Sequence, residues 1–186
     1  MRFLNRQGRE EKAIQVTDNG VAIIDVDCTA DGSAIVTGGE DGTVKVWSRN
    51  GMLRSLLASA SKPVYSACWS PNDDQVLYTC GHEIRICSTA TDRKGMNWEA
   101  HSGAVLTVSW NKVTNLIVSG GEDRRYRVWD SFGRQLFCSH PLDHVITSVA
   151  WSPSGSVFAV GSYNLLRLCD KTGVRPVCHI LFLCIR

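Results

Sequence analysis

The sequence predicts an all-β fold, a β-propeller of about four four-stranded blades that stops short of a closed ring. Three observations predict it: a tryptophan recurring at a fixed period, a fixed succession of apolar segments within each period, and turn-forming residues between those segments. Trp69, Trp110 and Trp151 lie 41 residues apart, and Cys28 holds the same phase one period earlier. A β-sandwich with accidental periodicity would explain neither the identical spacing nor the matching turns.

The first strand of each unit is read from the residues leading to that phase. Ile23, Val64, Val105 and Ile146 stand five positions before it, and Val26, Ala67, Val108 and Val149 two positions before it. A second apolar segment follows as Ile35-Val36, Val76-Leu77, Ile117-Val118 and Phe158-Ala159. The third reads Val44-Lys45-Val46-Trp47, Ile84-Arg85-Ile86-Cys87, Tyr126-Arg127-Val128-Trp129 and Leu166-Arg167-Leu168-Cys169. There, apolar residues alternate with a single Lys or Arg, the two-residue period of a strand with one wetter face. The fourth segment is the least regular (Leu53-Arg54-Ser55-Leu56, Asn97-Trp98-Glu99-Ala100, Gln135-Leu136-Phe137-Cys138), as expected of a rim strand.

Turns separate the strands at Gly39-Glu40-Asp41-Gly42, Ser70-Pro71-Asn72-Asp73 and Ser152-Pro153-Ser154-Gly155. These boundaries give units of about 19–59, 60–100, 101–140 and 141–173, followed by a divergent tail, 174–186, in which no next-blade strand pair or turn is expected. An open arc would leave unpaired edges near Met1 to Val16 and at the last blade, so poor solubility is expected of the isolated chain.

Bulk properties narrow the function classes. The 186 residues are 44% hydrophobic, enough for a real core, and a net charge of +2 lacks the basic excess of a dedicated nucleic-acid binder. Met1 to Lys12 is polar, with no apolar stretch of a signal peptide, and Ile180 to Ile185 is too short to span a bilayer. The eight cysteines (Cys28, Cys68, Cys80, Cys87, Cys138, Cys169, Cys178, Cys184) include no CxxC pair and sit mostly in apolar runs, so they are read as reduced, buried, small apolar residues. His82, His101, His140 and His144 have cysteines nearby, but Cys80 with His82 lacks a second pair at ligand spacing, and no metal or cofactor is expected. No phosphate loop, catalytic carboxylate pair or amphipathic basic helix is present. The expectation is a non-catalytic scaffold with no nucleic acid, no membrane insertion and no small-molecule substrate.

In the third unit His101, Ser119, Asp123 and Trp129 stand where the WD40-repeat family places its His-Ser/Thr-Asp-Trp tetrad, and the chain resembles that family. The resemblance implies a WD40-type propeller. Physically, the Asp accepts from the His, the His meets the strand hydroxyl, and the indole N–H takes that hydroxyl as acceptor, pinning three strands together. The same residue types form a catalytic triad elsewhere, but no nucleophile-elbow motif surrounds Ser119. The first unit keeps Thr37, Asp41 and Trp47 with Asn19 at the His position. Cys87 and Cys169 replace the tryptophan in the second and fourth units, which are expected to be held mostly by apolar packing.

Longer stretches are similar to the WD40-repeat subunits of intraflagellar transport complex B. They include Gly51-Met52-Leu53-Arg54-Ser55, Tyr126-Arg127-Val128-Trp129-Asp130-Ser131, Ile146-Thr147-Ser148-Val149-Ala150-Trp151 and Leu166-Arg167-Leu168-Cys169-Asp170-Lys171-Thr172-Gly173. That resemblance covers roughly Ser33 to Gly173. It implies partners among the other complex B subunits, a role in cilium assembly and transport along the axoneme, and a location in the cilium, at axoneme and basal body, and the cytoplasm. The alternative is a substrate-recognition or signalling adaptor outside the cilium. Loops between strands are the expected binding surface, and the basic run Arg124, Arg125 and Arg127 supplies the candidate partner contacts.

Overall fold

The computed structural model describes residues 2–17, 20–90, 95–174 and 176–181. Every described element is a strand, and all pairings are antiparallel. A two-stranded hairpin, β1 (Arg2–Leu4) with β2 (Glu10–Ala13), precedes four sheets of four strands each. Blade 1 comprises β3 (Ile23–Cys28), β4 (Ala34–Gly39), β5 (Thr43–Ser48) and β6 (Leu53–Ser59). Blade 2 comprises β7 (Ala67–Trp69), β8 (Gln75–Cys80), β9 (Glu83–Ser88) and β10 (Met96–Glu99). Blade 3 comprises β11 (Val105–Trp110), β12 (Ile117–Gly121), β13 (Tyr126–Trp129) and β14 (Gln135–Cys138). Blade 4 comprises β15 (Ile146–Trp151), β16 (Val157–Ser162), β17 (Leu165–Asp170) and β18 (Pro176–Leu181). Each blade is a meander, and among the described residues no strand of blade 4 pairs with blade 1, so the ring is not closed.

β18 lies in the segment that the repeat left outside the blades. It pairs with β17 from Leu165↔Leu181 to Cys169↔Pro176. A rim strand needs backbone pairing on one side only, so its side-chain pattern is loosely specified and the repeat fades there first.

The apolar core is divided among the spaces between blades. Val36, Val44 and Val46 of blade 1 meet Val64, Ala67, Trp69, Val76 and Tyr78 of blade 2. Leu77, Ile84 and Ile86 meet Val105, Val108, Trp110, Ile117 and Trp129. Val118, Tyr126 and Val128 meet Ile146, Val149, Phe158 and Cys169. Adjacent residues of a second strand therefore serve opposite interfaces, Val76 one and Leu77 the next. That is why the second segment reads as an apolar doublet: it is covered on both faces.

Hydrogen bonds at nearly the repeat offset join the innermost strands. Asp25 accepts from Ser66 Oγ at 2.8 Å and from Ala67 N–H at 2.9 Å, and Asp27 from Trp69 N–H at 2.9 Å. Ser66 Oγ accepts from Val108 N–H at 3.4 Å, Thr107 Oγ1 from Val149 N–H at 3.3 Å, and the Ser109 carbonyl from the Trp151 indole at 3.2 Å.

Cys28, Cys68, Cys80, Cys87, Cys138 and Cys169 are free thiols. Cys80 and Cys169 are buried as expected, whereas Cys28 is exposed, because it lies on the face of blade 1 that no complete blade covers.

Candidate functional site

A connected group of four polar side chains is built in blade 3. His101 enters from the loop before β11, Ser119 stands on β12, Asp123 in the β12–β13 turn and Trp129 at the end of β13. His101 Nδ1 is 2.8 Å from Asp123 Oδ1, His101 Nε2 is 2.8 Å from Ser119 Oγ, and the Trp129 indole N–H donates to Ser119 Oγ at 2.9 Å. One tautomer satisfies the chain: the indole donates to the hydroxyl, the hydroxyl to Nε2, and Nδ1–H to the carboxylate.

Burial, the largest influence, holds the His101 pKa below its ordinary value despite the neighbouring carboxylate, so the ring is neutral near pH 7. Burial pushes the Asp123 carboxyl up, but hydrogen bonds from Arg127 and His101 outweigh it and bring the pKa down to about 2. Asp123 also accepts from Arg125 N–H at 3.2 Å and Ser102 N–H at 3.4 Å, which fastens the turn to the incoming loop.

The sequence reading offered Arg127 as a partner contact, and the structure turns it inward. Its guanidinium donates to Asp123 Oδ2 at 2.7 Å and its side chain is largely buried. The wet-face position of β13 is therefore a counter-charge for the tetrad. Arg125 is also engaged, donating to the Ser139 carbonyl at 2.6 Å. Of the three, Arg124 is exposed, held at the turn with φ of 63°.

In blade 1 the Trp47 indole donates to Thr37 Oγ1 at 2.9 Å, while Asp41 accepts from the Thr43 N–H and hydroxyl at 2.9 and 2.7 Å and caps its own turn. Asn19 lies outside the described residues. Blade 4 carries a polar link that the sequence did not suggest: Cys169 Sγ donates to Tyr126 Oη at 3.4 Å, and Tyr126 Oη donates to the Gly173 carbonyl at 3.1 Å. This spans the interface between blades 3 and 4 and adds a polar link to the apolar packing there.

The tetrad offers a substrate nothing to reach. Ser119 and the His101 side chain are fully buried, and the hydroxyl is occupied by an indole and an imidazole. Among the described residues no three His, Cys, Asp or Glu side chains converge on a point where a metal would sit. His82 instead faces Glu99 at 3.8 Å. What does reach solvent is the end of the blades bearing the β12–β13 turn. A cleft there between blades 2 and 3 is lined by Lys62, Tyr65, His82, Ser102 and Glu122. Tyr65, His82 and Lys62 lie far apart from Glu122 in sequence, and no motif signalled their convergence.

The family described as WD domain, G-beta repeat matches residues 13–48, 92–130 and 134–170. Blade 2, which lacks the tryptophan of the third strand, falls mostly outside those matches yet forms a complete sheet. Two curated relatives, the intraflagellar transport protein 80 homologs of Mus musculus and Rattus norvegicus, are each 49% identical over 171 residues, 92% of this chain and 22% of their own length. The chain thus spans about a fifth of those relatives. Protein tipD of Dictyostelium discoideum is 35% identical over 58% of this chain and 18% of its own length. Among solved structures, a chain of the crystal structure of the mitotic checkpoint complex superposes with a TM-score of 0.83 over 94% of this chain and 57% of that one, at 18% identity, a likeness of fold alone.

Proposed function

We propose, because this chain belongs to the WD40-repeat family, that it is a non-catalytic protein-interaction scaffold and a subunit of intraflagellar transport complex B, acting in cilium assembly and transport along the axoneme. The observation that carries the transport reading is the 49% identity maintained over 92% of the chain, far above the 18% seen where only the fold is shared. Partners are other complex B subunits, and the location is the cilium, at axoneme and basal body, with a cytoplasmic pool.

The geometry supports a scaffold in a second way. The residues that could carry chemistry are consumed in fixing blade 3, and the rigid blades hold the solvent-facing loops in place. The end bearing Arg124, Glu122, Tyr65 and His82 is the proposed docking face, with both charge signs and an aromatic side chain within one cleft.

The test is affinity purification of the tagged chain from ciliated cells, with mass spectrometry of the recovered proteins. Complex B subunits in the eluate would support the reading. Their absence, with the chain folded and expressed, would overturn it.

A further inference from the structure

The hairpin β1–β2 lies ahead of the repeat and was assigned no unit, yet its details match the outer two strands of blades 1, 3 and 4. In those three blades the pairing of third and fourth strands skips one residue of the outer strand at a fixed place. Val46↔Ser55 is followed by Trp47↔Leu53, Val128↔Phe137 by Trp129↔Gln135, and Leu168↔Cys178 by Cys169↔Pro176. In the hairpin Phe3↔Lys12 is followed by Leu4↔Glu10, the same skip at the same place. Leu4 thereby takes the position of Trp47, Trp129 and Cys169.

The connecting turn repeats as well. Gly8, Gly51, Gly133 and Gly173 have φ of 76°, 77°, 79° and 78°, and each donates its N–H to the carbonyl three residues back, of Asn5, Ser48, Asp130 and Asp170 respectively, at 2.8–3.2 Å. Asn5 Oδ1 accepts from Gln7 and Arg9 N–H as Asp130 Oδ1 accepts from Phe132 and Arg134 N–H. Packing agrees: the backbone of Gly51 lies against Phe3 and Ile14 as that of Gly173 lies against Val128 and Phe137 of the preceding blade.

Two positions show what the hairpin lacks. Leu4 is 60% exposed, whereas Trp47, Trp129 and Cys169 are 6%, 4% and 0% exposed. Val26, on the innermost strand of blade 1, is 54% exposed, whereas Ala67, Val108 and Val149 are 1%, 6% and 8% exposed. In the complete blades the inner two strands cover the first position, and those of the preceding blade cover the second. Around Val26, Ile24 and Cys28 are exposed on the same face, and among the described residues β1 pairs on one edge only.

We infer that β1–β2 is the outer half of a fifth blade, and that the free edge of β1 with the Ile24, Val26 and Cys28 face of β3 is a docking site for a two-stranded antiparallel β-hairpin. The occupant has the chemistry of this repeat's inner strand pair. Its outer strand carries an apolar doublet and adds to β1 by backbone hydrogen bonding; its inner strand lays small and apolar side chains over Val26. That occupant continues the three interfaces inside the chain, where the inner two strands of each blade lie against the innermost strand of the next. The inference is independent of the transport reading.

The test uses the full chain and a synthetic peptide of residues 105–121, the inner strand pair of blade 3. The readout is the alkylation rate of Cys28, followed by mass spectrometry with Cys138 as reference in the same molecule. At saturating peptide, alkylation of Cys28 is expected to slow about tenfold. A peptide carrying Val108→Pro, which cannot complete the strand, is expected to give no protection, and the exposed substitution Val26→Lys in the chain is expected to abolish it. An unchanged Cys28 rate, equal protection by the proline peptide, or full protection in the V26K chain would each overturn the inference.

Discussion

Asp25 Oδ2 receives the backbone N–H of Ala67, 42 residues further along the chain, at 2.9 Å, while Asp25 Oδ1 receives the N–H of Val26 on its own strand, also at 2.9 Å. Asp27 does the same for Trp69 and Cys28, at 2.9 and 2.8 Å. Two carboxylates thus stitch blade 1 to blade 2 and satisfy their own strand on its uncovered side. Asp25→Ala is expected to raise the amide exchange rates of Val26 and Ala67 while leaving those of blade 4 unchanged, at a cost of about 1–3 kcal/mol in global stability. Hydrogen exchange and urea denaturation check both parts.

Ser119→Ala removes the acceptor of the Trp129 indole and the partner of His101 Nε2, leaving two buried polar groups unmatched. The expected loss is about 2–4 kcal/mol. Thr37→Val in blade 1 strands the Trp47 indole alone and is expected to cost about 1–2 kcal/mol. Equal losses in urea titrations of the two variants would contradict a cooperative network in blade 3.

Arg124 and Arg127 are separated by two residues and by role. Arg127→Ala removes a buried partner of Asp123 and is expected to lower the melting temperature and raise the Asp123 pKa above about 2, followed by NMR titration. Arg124→Ala is expected to leave the melting temperature unchanged and weaken partner capture. If Arg127→Ala weakens capture at unchanged stability, its assignment to the tetrad fails.

Gly120 faces blade 4 so closely that an added Cβ would overlap the Ile146 side chain and come near Thr107. Gly120→Ala is expected to destabilise by about 1–3 kcal/mol through forced separation of blades 3 and 4. Pairing it with Ile146→Ala, which removes the Cγ2 methyl nearest the added Cβ, is expected to cost less in a thermal melt than the sum of the two single substitutions.

Acid is expected to weaken the fold in two windows. His101 and Asp123 both have folded pKa values below their ordinary ones, so the unfolded chain binds more protons and stability falls as pH falls. The His101 contribution is complete above 6.5 and declines below it; that of Asp123 is complete above 3.8 and is lost toward about 2. Denaturation at stepped pH should show both, and Asp123→Asn should flatten the lower one.

What the sequence determined by itself was everything carried by local repetition. The 41-residue phase, the apolar doublets and the glycine turns state the four-stranded unit because strand alternation and turn chemistry act over a few residues. The tetrad, complete in the third unit alone, was legible because the family resemblance assigns its four residue types to fixed places in the repeat. What the tertiary structure decided were outcomes that depend on a neighbour. Arg127 lies on a face that alternation marks as wet, and only the proximity of Asp123 turns it inward. Val26 and Val108 hold equivalent places in the repeat, and the presence of a preceding blade alone leaves one exposed and buries the other. The hairpin β1–β2 carries no tryptophan to announce it, so its kinship with a blade appears in register, turn and packing. Burial is a property of what lies opposite, and a residue's own strand does not encode it.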